Sequence, residues 1–122
     1  MVGAGCSRGC PPDELAALVD AALAGVSGRV VALATIDRRV DEPCVRALAA
    51  ARGLPVRAHS AAALAEVPVS TPSAVVARHV GTASVAEAAA LLAAGPGSRL
   101  AVAKRRSEHA TCAIAEEAAW PG

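Results

Sequence analysis

The chain has 122 residues, 54% of them hydrophobic, with 12 Lys and Arg against 11 Asp and Glu and a formal net charge of +1. That length holds one domain around one core, the apolar fraction excludes an extended disordered polymer, and the charge balance gives no counterion-release drive towards nucleic acid or an anionic membrane. Aromatic residues make up 1% of the chain, a single Trp with no Phe and no Tyr, so the stacking platform of a single-strand binder is missing.

Residues 1–5 (MVGAG) are short and apolar and lead into Cys, Ser, Gly and Pro, which reads as a strand and then a loop. From Pro12 the period becomes helical. Leu15, Leu18, Val19, Ala22 and Leu23 recur at three- and four-residue steps, and Gly25 or Gly28 ends the run. Pro12 suits the first helical turn, where Asp13 and Glu14 complement the helix dipole. Residues 29–36 (RVVALATI) are β-branched and nearly all apolar, the pattern of a central strand covered on both faces. The polar stretch 37–42 (DRRVDE) leads into Pro43 and a second helix ending near Gly53. Residues 54–58 read as a third, shorter strand, and Ser60 as the N-cap of a short helix through Glu66. A loop over 67–72 and a short helix over 73–80, stopped by Gly81, come next. Ser84 can cap a helix over 85–94 with Glu87 as its capping-box partner, and Gly95-Pro96-Gly97 breaks it. Residues 100–103 and 111–115 then read as two strands joined by a polar loop, 104–109.

This order predicts a single α/β domain over residues 1–122, with right-handed crossovers and a mainly parallel sheet of about five strands. The last two strands are too close for a crossover helix and pair antiparallel. A core of Ala, Val and Leu favours tight helix–sheet contact over a roomy aromatic-lined cavity, and the alanine-rich run 85–94 reads as core packing. No apolar stretch approaches the roughly 20 residues of a membrane span, and residues 1–10 lack the basic flank and apolar centre of a signal peptide. The four cysteines, Cys6, Cys10, Cys44 and Cys112, read as reduced thiols. The expectation is a cytoplasmic protein with neither nucleic-acid nor membrane partner. No Cys/His spacing matches a zinc site, and neither metal nor cofactor is expected.

In open α/β sheets ligands sit outside the carboxyl ends of the strands, and three polar segments follow strands here: 6–10, 37–42 and 104–109. In the first, glycines allow close approach, and loop amides with Arg8 can hold a carboxylate or phosphate; read alone, it is also an ordinary tight strand–helix turn. Its third glycine is one residue late for a dinucleotide fingerprint. Cys6 is either a nucleophile activated at a helix entrance or a buried spectator. The second segment gathers Asp37, Arg38, Arg39, Asp41 and Glu42, either a solvated loop of local ion pairs or an edge where Arg39 meets a carboxylate bidentately. The third, Lys104-Arg105-Arg106-Ser107-Glu108-His109, reads as an exposed hairpin tip. His59 and His79 have no evident partner; His109 stands in the third segment. These residues alone name no reaction.

The same segments carry a family resemblance. Gly3-Ala4-Gly5-Cys6 with the Pro12-Asp13-Glu14-Leu15 helix start, Ala34-Thr35-Ile36-Asp37, Asp41-Glu42-Pro43, the runs 72–76 (PSAVV) and 80–90 (VGTASVAEAAA), Lys104 and the run 110–115 (ATCAIA) occur in order along the chain. Together they resemble the CobE/CbiG C-terminal domain family of cobalamin biosynthesis. The chain departs from the family pattern with Arg39 for Lys, His109 for Asn and Glu116 for Arg.

The resemblance implies a three-layer α/β/α domain with a mixed sheet, in the standalone form because no further N-terminal domain precedes it. It implies binding of a corrinoid or precorrin intermediate through its peripheral carboxylates. Arg8, Arg39 and Lys104 are the expected carboxylate partners, and Asp37 and Glu42 orient those cations or bind polar edges. Gly5, Cys6, Ser7, Thr35 and Ser107 complete the expected substrate-binding set. The alternative is the activity of cobalt-precorrin-5A hydrolase, which opens a ring-A δ-lactone with release of acetaldehyde; Cys6, Glu42 and His109 are then the catalytic candidates. A third alternative is a non-catalytic scaffold for another cobalamin-pathway enzyme.

Overall fold

The computed structural model describes residues 1–26, 28–67 and 85–117. The strands are β1 (Val2–Cys6), β2 (Leu33–Ile36), β3 (Val56–His59), β4 (Arg99–Arg106) and β5 (Ala110–Glu116). The helices are α1 (Pro12–Leu23), α2 (Pro43–Arg52), α3 (Ala61–Ala65) and α4 (Val85–Ala94), with one 3-10 turn over Asp37–Arg39. The expected loop 68–72, helix 73–80, cap Ser84 and His79 lie outside the described residues.

The helix signals act as local chemistry requires. Pro12 and Pro43 each occupy the first helical position, where a missing N–H leaves no bond unmade. Ser60 caps α3 by accepting the Ala63 amide at 3.1 Å. Gly53 ends α2 at φ 64°, a left-handed conformation that suits glycine, and the Leu54 amide closes back on the Ala49 carbonyl at 2.9 Å.

The strands form one sheet in the order β3-β2-β1-β5-β4. β1 and β2 are parallel, β2 and β3 are parallel, and β5 is antiparallel to both its neighbours. Thus β5 alone runs against the other four strands, and the sheet is mixed. One apolar cluster packs α1 and α2 residues (Leu15, Val19, Val45, Leu48) on Val2, Ala4, Leu33 and Ile114. A second packs Leu64, Val85, Ala88 and Ala89 of α3 and α4 on Ala34 and Ile36. Helices therefore cover both faces of the sheet.

The poverty in large side chains has a direct structural use. Gly3 alternates with Val2 and Ala4 along β1, and its bare face lies against α4. A Cβ added at Gly3 would stand 1.9 Å from the Ala86 carbonyl oxygen and 2.7 Å from the Ala90 nitrogen. Only glycine on the strand and alanine on the helix allow that approach, and Ala86, Ala88, Ala89 and Ala90 are all buried. Residues 85–90 are core packing, as the composition of the run predicts, and residues 91–94 are half-buried.

Two expectations about strand length are corrected. The apolar run 29–36 forms a strand only over its last four residues, and Val31 is 46% exposed. A strand extends only where neighbours offer a ladder. Leu33 pairs with Val2 on one side and Val56 on the other. Before Val56 stands Pro55, which has no N–H to extend the ladder. In the other direction, β4 continues through Arg106, so the basic residues Lys104, Arg105 and Arg106 belong to a strand and not to a loop. β4 is a sheet edge, where a run of cations discourages pairing with other chains. Its pairing with β5 is irregular between Val102 and Arg105. There the Lys104 amide donates at 2.9 Å to Oε2 of Glu87, a fully buried carboxylate on α4.

No helix among the described residues is long and apolar enough to cross a membrane.

Candidate functional site

Because β1, β2, β3 and β4 run the same way, their carboxyl ends share one rim of the sheet with the amino end of β5, where Cys6 pairs with Ala110. The three polar segments meet there. The loop after β1 is held by the segment after β2: Arg39 donates from Nε to the Cys6 carbonyl at 3.0 Å, and Glu42 accepts the Gly9 amide on Oε1 at 2.9 Å. On its other side the Ser7 amide donates to the His109 carbonyl at 2.9 Å. Ser107 and Ala110 close the β4–β5 turn around Glu108 and His109, the Ser107 amide donating to the Ala110 carbonyl at 2.9 Å.

Arg39 thus meets a neutral carbonyl through one nitrogen, and no salt bridge joins it to Asp37 or Glu42 among the described residues. Among the described residues its guanidinium has no carboxylate partner, and both Nη groups lie beyond the Cys6 contact. Glu42 accepts the Gly9 amide, a polar edge and not a cation, and so holds the first loop. Asp37 and Arg8 are exposed. Asp41 pairs instead with Arg46 at 2.7 Å, with both side chains more than half exposed, a geometry worth little.

A cavity of about 70 Å3 opens at the rim, lined by Gly5, Cys6 and Ser7 from the first loop and by residues 106–111 from the hairpin. Ser107 and His109 are in it; Lys104 is not among its lining residues, and Arg106 is. Gly5 forms its floor, where a Cβ would come 2.7 Å from Thr111 Oγ1. Thr35 is fully buried and donates its hydroxyl to the Ala4 carbonyl at 2.8 Å, which ties β2 to β1 and leaves no surface for a ligand.

The reactive-thiol reading of Cys6 meets a physical obstacle. Cys6, Cys10 and Cys44 are buried side by side, and burial together with the Cys44 thiol pushes Cys6 up to about 12. Cys10 is likewise pushed up to about 12 by burial and by Cys44, and burial raises Cys112 to about 11. A thiol so far above neutrality supplies almost no thiolate. These are core residues. Among the described residues no group of His, Cys, Asp or Glu is arranged to hold a metal ion.

The feature that sequence reasoning missed is Glu14. In the chain it is an ordinary first-turn acid of α1. In the fold its Oε1 lies 2.8 Å from His109 Nδ1, while Oε2 accepts the His109 amide at 2.5 Å and the Ser107 hydroxyl. Those bonds hold the Glu14 carboxyl at about 2, below its usual range, and the Glu14 bond raises His109. The partners stand 95 residues apart, so no spacing could have joined them. His59, by contrast, keeps a buried Nε2 without a hydrogen-bond partner, and burial followed by the Arg57 charge lowers it.

Comparison with known proteins agrees with this architecture. Residues 1–115 match the family described as Cobalamin synthesis G C-terminus. Protein CobE of Sinorhizobium sp is 40% identical over 120 residues, which cover 94% of this chain and 78% of that protein. A 1.7 Å crystal structure of CobE, a protein from the cobalamin (vitamin B12) biosynthetic pathway, superposes with a TM-score of 0.75 at 41% identity, covering 93% of this chain and 87% of the other. The cobalamin biosynthesis protein chiG of Agrobacterium tumefaciens str. C58 matches with a TM-score of 0.73 at 34% identity, over 95% and 96% of the two chains. With its sequence matched nearly end to end and its fold shared, the chain belongs to the cobalamin synthesis G C-terminal family of cobalamin biosynthesis proteins.

Proposed function

We propose that this protein binds a corrinoid or precorrin intermediate at the rim of its sheet, through the carboxylates on the periphery of the macrocycle. The observation that carries the reading is the convergence of three polar segments on one edge with cations that have no carboxylate partner among the described residues, Arg39 above all. A flat, acidic ring is too large for the cavity and suits an open edge, where Arg8 and Arg39 can each take a side-chain carboxylate in a planar fork. Arg106 lies nearer the cavity than Lys104 and serves the same role, with Lys104 further back along β4. The fixed loop keeps these donors in place before the ligand arrives, which limits the entropy lost on binding.

The test is a visible-absorbance titration of hydrogenobyrinic acid with the purified protein. A saturable spectral change near one ligand per chain supports the reading, and its marked weakening in the Arg8→Ala/Arg39→Ala variant assigns the site. A flat titration, with co-purification of another cobalamin-pathway enzyme, would replace it with the scaffold role.

One observation bears on the hydrolase alternative. An imidazole held by a carboxylate is the arrangement of a general base, and Glu14 holds His109 in this way. The same contact raises His109, however, and an imidazolium stabilises an anion better than it accepts a proton. Cys6, Glu42 and His109 share no hydrogen bond among the described contacts, so they form no relay. Acetaldehyde released from cobalt-precorrin-5A by the isolated chain would reverse this ordering.

A further inference from the structure

The geometry points to Glu14 as a positioning residue that fixes His109 as the cationic wall of a one-carboxylate subsite, the small cavity between the β1–α1 loop and the β4–β5 turn. The inference deepens the proposed function and rests on its carboxylate-binding reading. A carboxylate can only accept, so the 2.8 Å contact from His109 Nδ1 to Glu14 Oε1 places a proton on Nδ1 in either charge state of the ring. Nε2 is left as the nitrogen that gains or loses the titrating proton. The backbone amide of His109 and the Ser107 hydroxyl bind the other oxygen of Glu14, so the carboxylate is clamped from three directions and cannot swing away. Glu14 itself is only 19% exposed on its side chain.

The cavity fits this assignment. Its roughly 70 Å3 takes a single polar group or a few waters and excludes a ring. Ser107 is engaged with Glu14, which leaves the Ser7 hydroxyl, Arg106 and His109 Nε2 as donors for an incoming oxyanion. The charged groups facing His109 are few. Glu14 comes from α1, Glu108 of the turn lies 3.8 Å from Nε2, and Arg106 ends β4. From the first loop come exposed Arg8, beside Ser7, and the neutral Cys6 thiol. Glu108 is 84% exposed and too distant for a hydrogen bond, so Glu14 dominates. A carboxylate entering beside Nε2 favours the protonated ring further, and binding is therefore linked to proton uptake.

The experiment follows the imidazole resonances by NMR across pH in the ligand-free protein, with His109 assigned from His109→Gln. Wild-type His109 should titrate above the ordinary histidine value of about 6.5, and Glu14→Gln should lower its midpoint, because the Glu14 contact is what raises it. A wild-type midpoint at or below 6.5, or one that Glu14→Gln leaves in place, overturns the positioning role; the first outcome needs no variant to fold. Acetate is then titrated at constant ionic strength near pH 7. It should shift the His109, Ser7 and Thr111 signals of the wild type, with affinity falling about tenfold in His109→Gln and in Glu14→Gln. Acetate that leaves those signals unmoved overturns the subsite. If acetate binds there while hydrogenobyrinic acid does not bind the protein, this inference stands and the corrinoid reading fails.

Discussion

Replacing Gly3 by alanine tests whether β1 and α4 are as close as the backbone places them. The added Cβ would lie 1.9 Å from the Ala86 carbonyl oxygen, 2.7 Å from the Ala90 nitrogen and 2.9 Å from the Ala90 Cβ. Two of these are helix backbone atoms with no rotamer to change, so α4 must retreat by about 1.5 Å to restore an ordinary contact near 3.4 Å. Overpacking of this kind costs about 3 kcal/mol or somewhat more, since a whole helix has to move and Ala86, Ala89 and Ala90 lose contact with the sheet. The lower backbone entropy of the unfolded alanine variant returns about 0.4–1 kcal/mol. The net loss is then about 2–3 kcal/mol, which at an m-value of about 1–3 kcal/mol/M lowers the urea midpoint by about 0.7–3 M. Gly5→Ala is the internal control. Its Cβ would meet Thr111 Oγ1 at 2.7 Å, the end of a side chain that can rotate, and Val85 only at 3.7 Å, so its loss should be under about half as large. A Gly3→Ala midpoint within 0.3 M of wild type, roughly the limit that two-state extrapolation resolves, would refute the close packing and with it the argument that small residues build this core.

Glu87→Ala leaves the half-buried Lys104 amide without its 2.9 Å acceptor and should destabilise the fold by about 1–3 kcal/mol, read as a fall of several degrees in Tm. Arg39→Ala frees the Cys6 carbonyl and removes a rim cation, so hydrogenobyrinic acid should bind about tenfold or more weakly, while Arg39→Lys keeps the charge and loses the fork, giving an intermediate value in the same absorbance titration. The stability difference between wild type and Glu14→Gln should be greatest at mid-range pH. Glu14 is depressed to about 2, so its contribution is complete above its unfolded value near 4.5 and fades as pH falls towards 2; His109 is raised, so its contribution is complete below about 6.5 and fades as pH rises through its folded midpoint. Urea unfolding at a series of pH values checks both edges. Finally, Ellman's reagent should label the native protein slowly at pH 8 and all 4 cysteines after denaturation; rapid native labelling of Cys6 would restore the nucleophile reading.

Several helix ends were legible in the sequence because their causes are local, although α1 ends at Leu23 on an Ala24 cap and not at Gly25 or Gly28. Pro12 and Pro43 open helices, Ser60 caps one and Gly53 stops one by interactions within a few residues. The α/β class followed from the alternation of elements, and the three rim segments were visible as polar interruptions after strands. Family membership was legible too, since the motifs recur in order over most of the chain. Strand lengths were not, because a strand's length is a property of its neighbours: 29–36 reads as one unbroken β run, yet pairing begins only at Leu33. Lys104, Arg105 and Arg106 read as a loop for the converse reason, since edge strands take charges that central strands refuse.

Composition by itself pointed to close helix–sheet contact, because Ala and Gly bring backbones together, and β1 and α4 meet in this way at Gly3. Only the tertiary structure decided what the individual polar residues do. It buried Cys6 beside Cys44, turned Thr35 into a cross-strand tie and gave Glu42 to the Gly9 amide. It also joined Glu14 to His109 across 95 positions. The charge state and reach of a side chain depend on what stands within a few ångströms of it, and in this mixed sheet those neighbours come from distant parts of the chain.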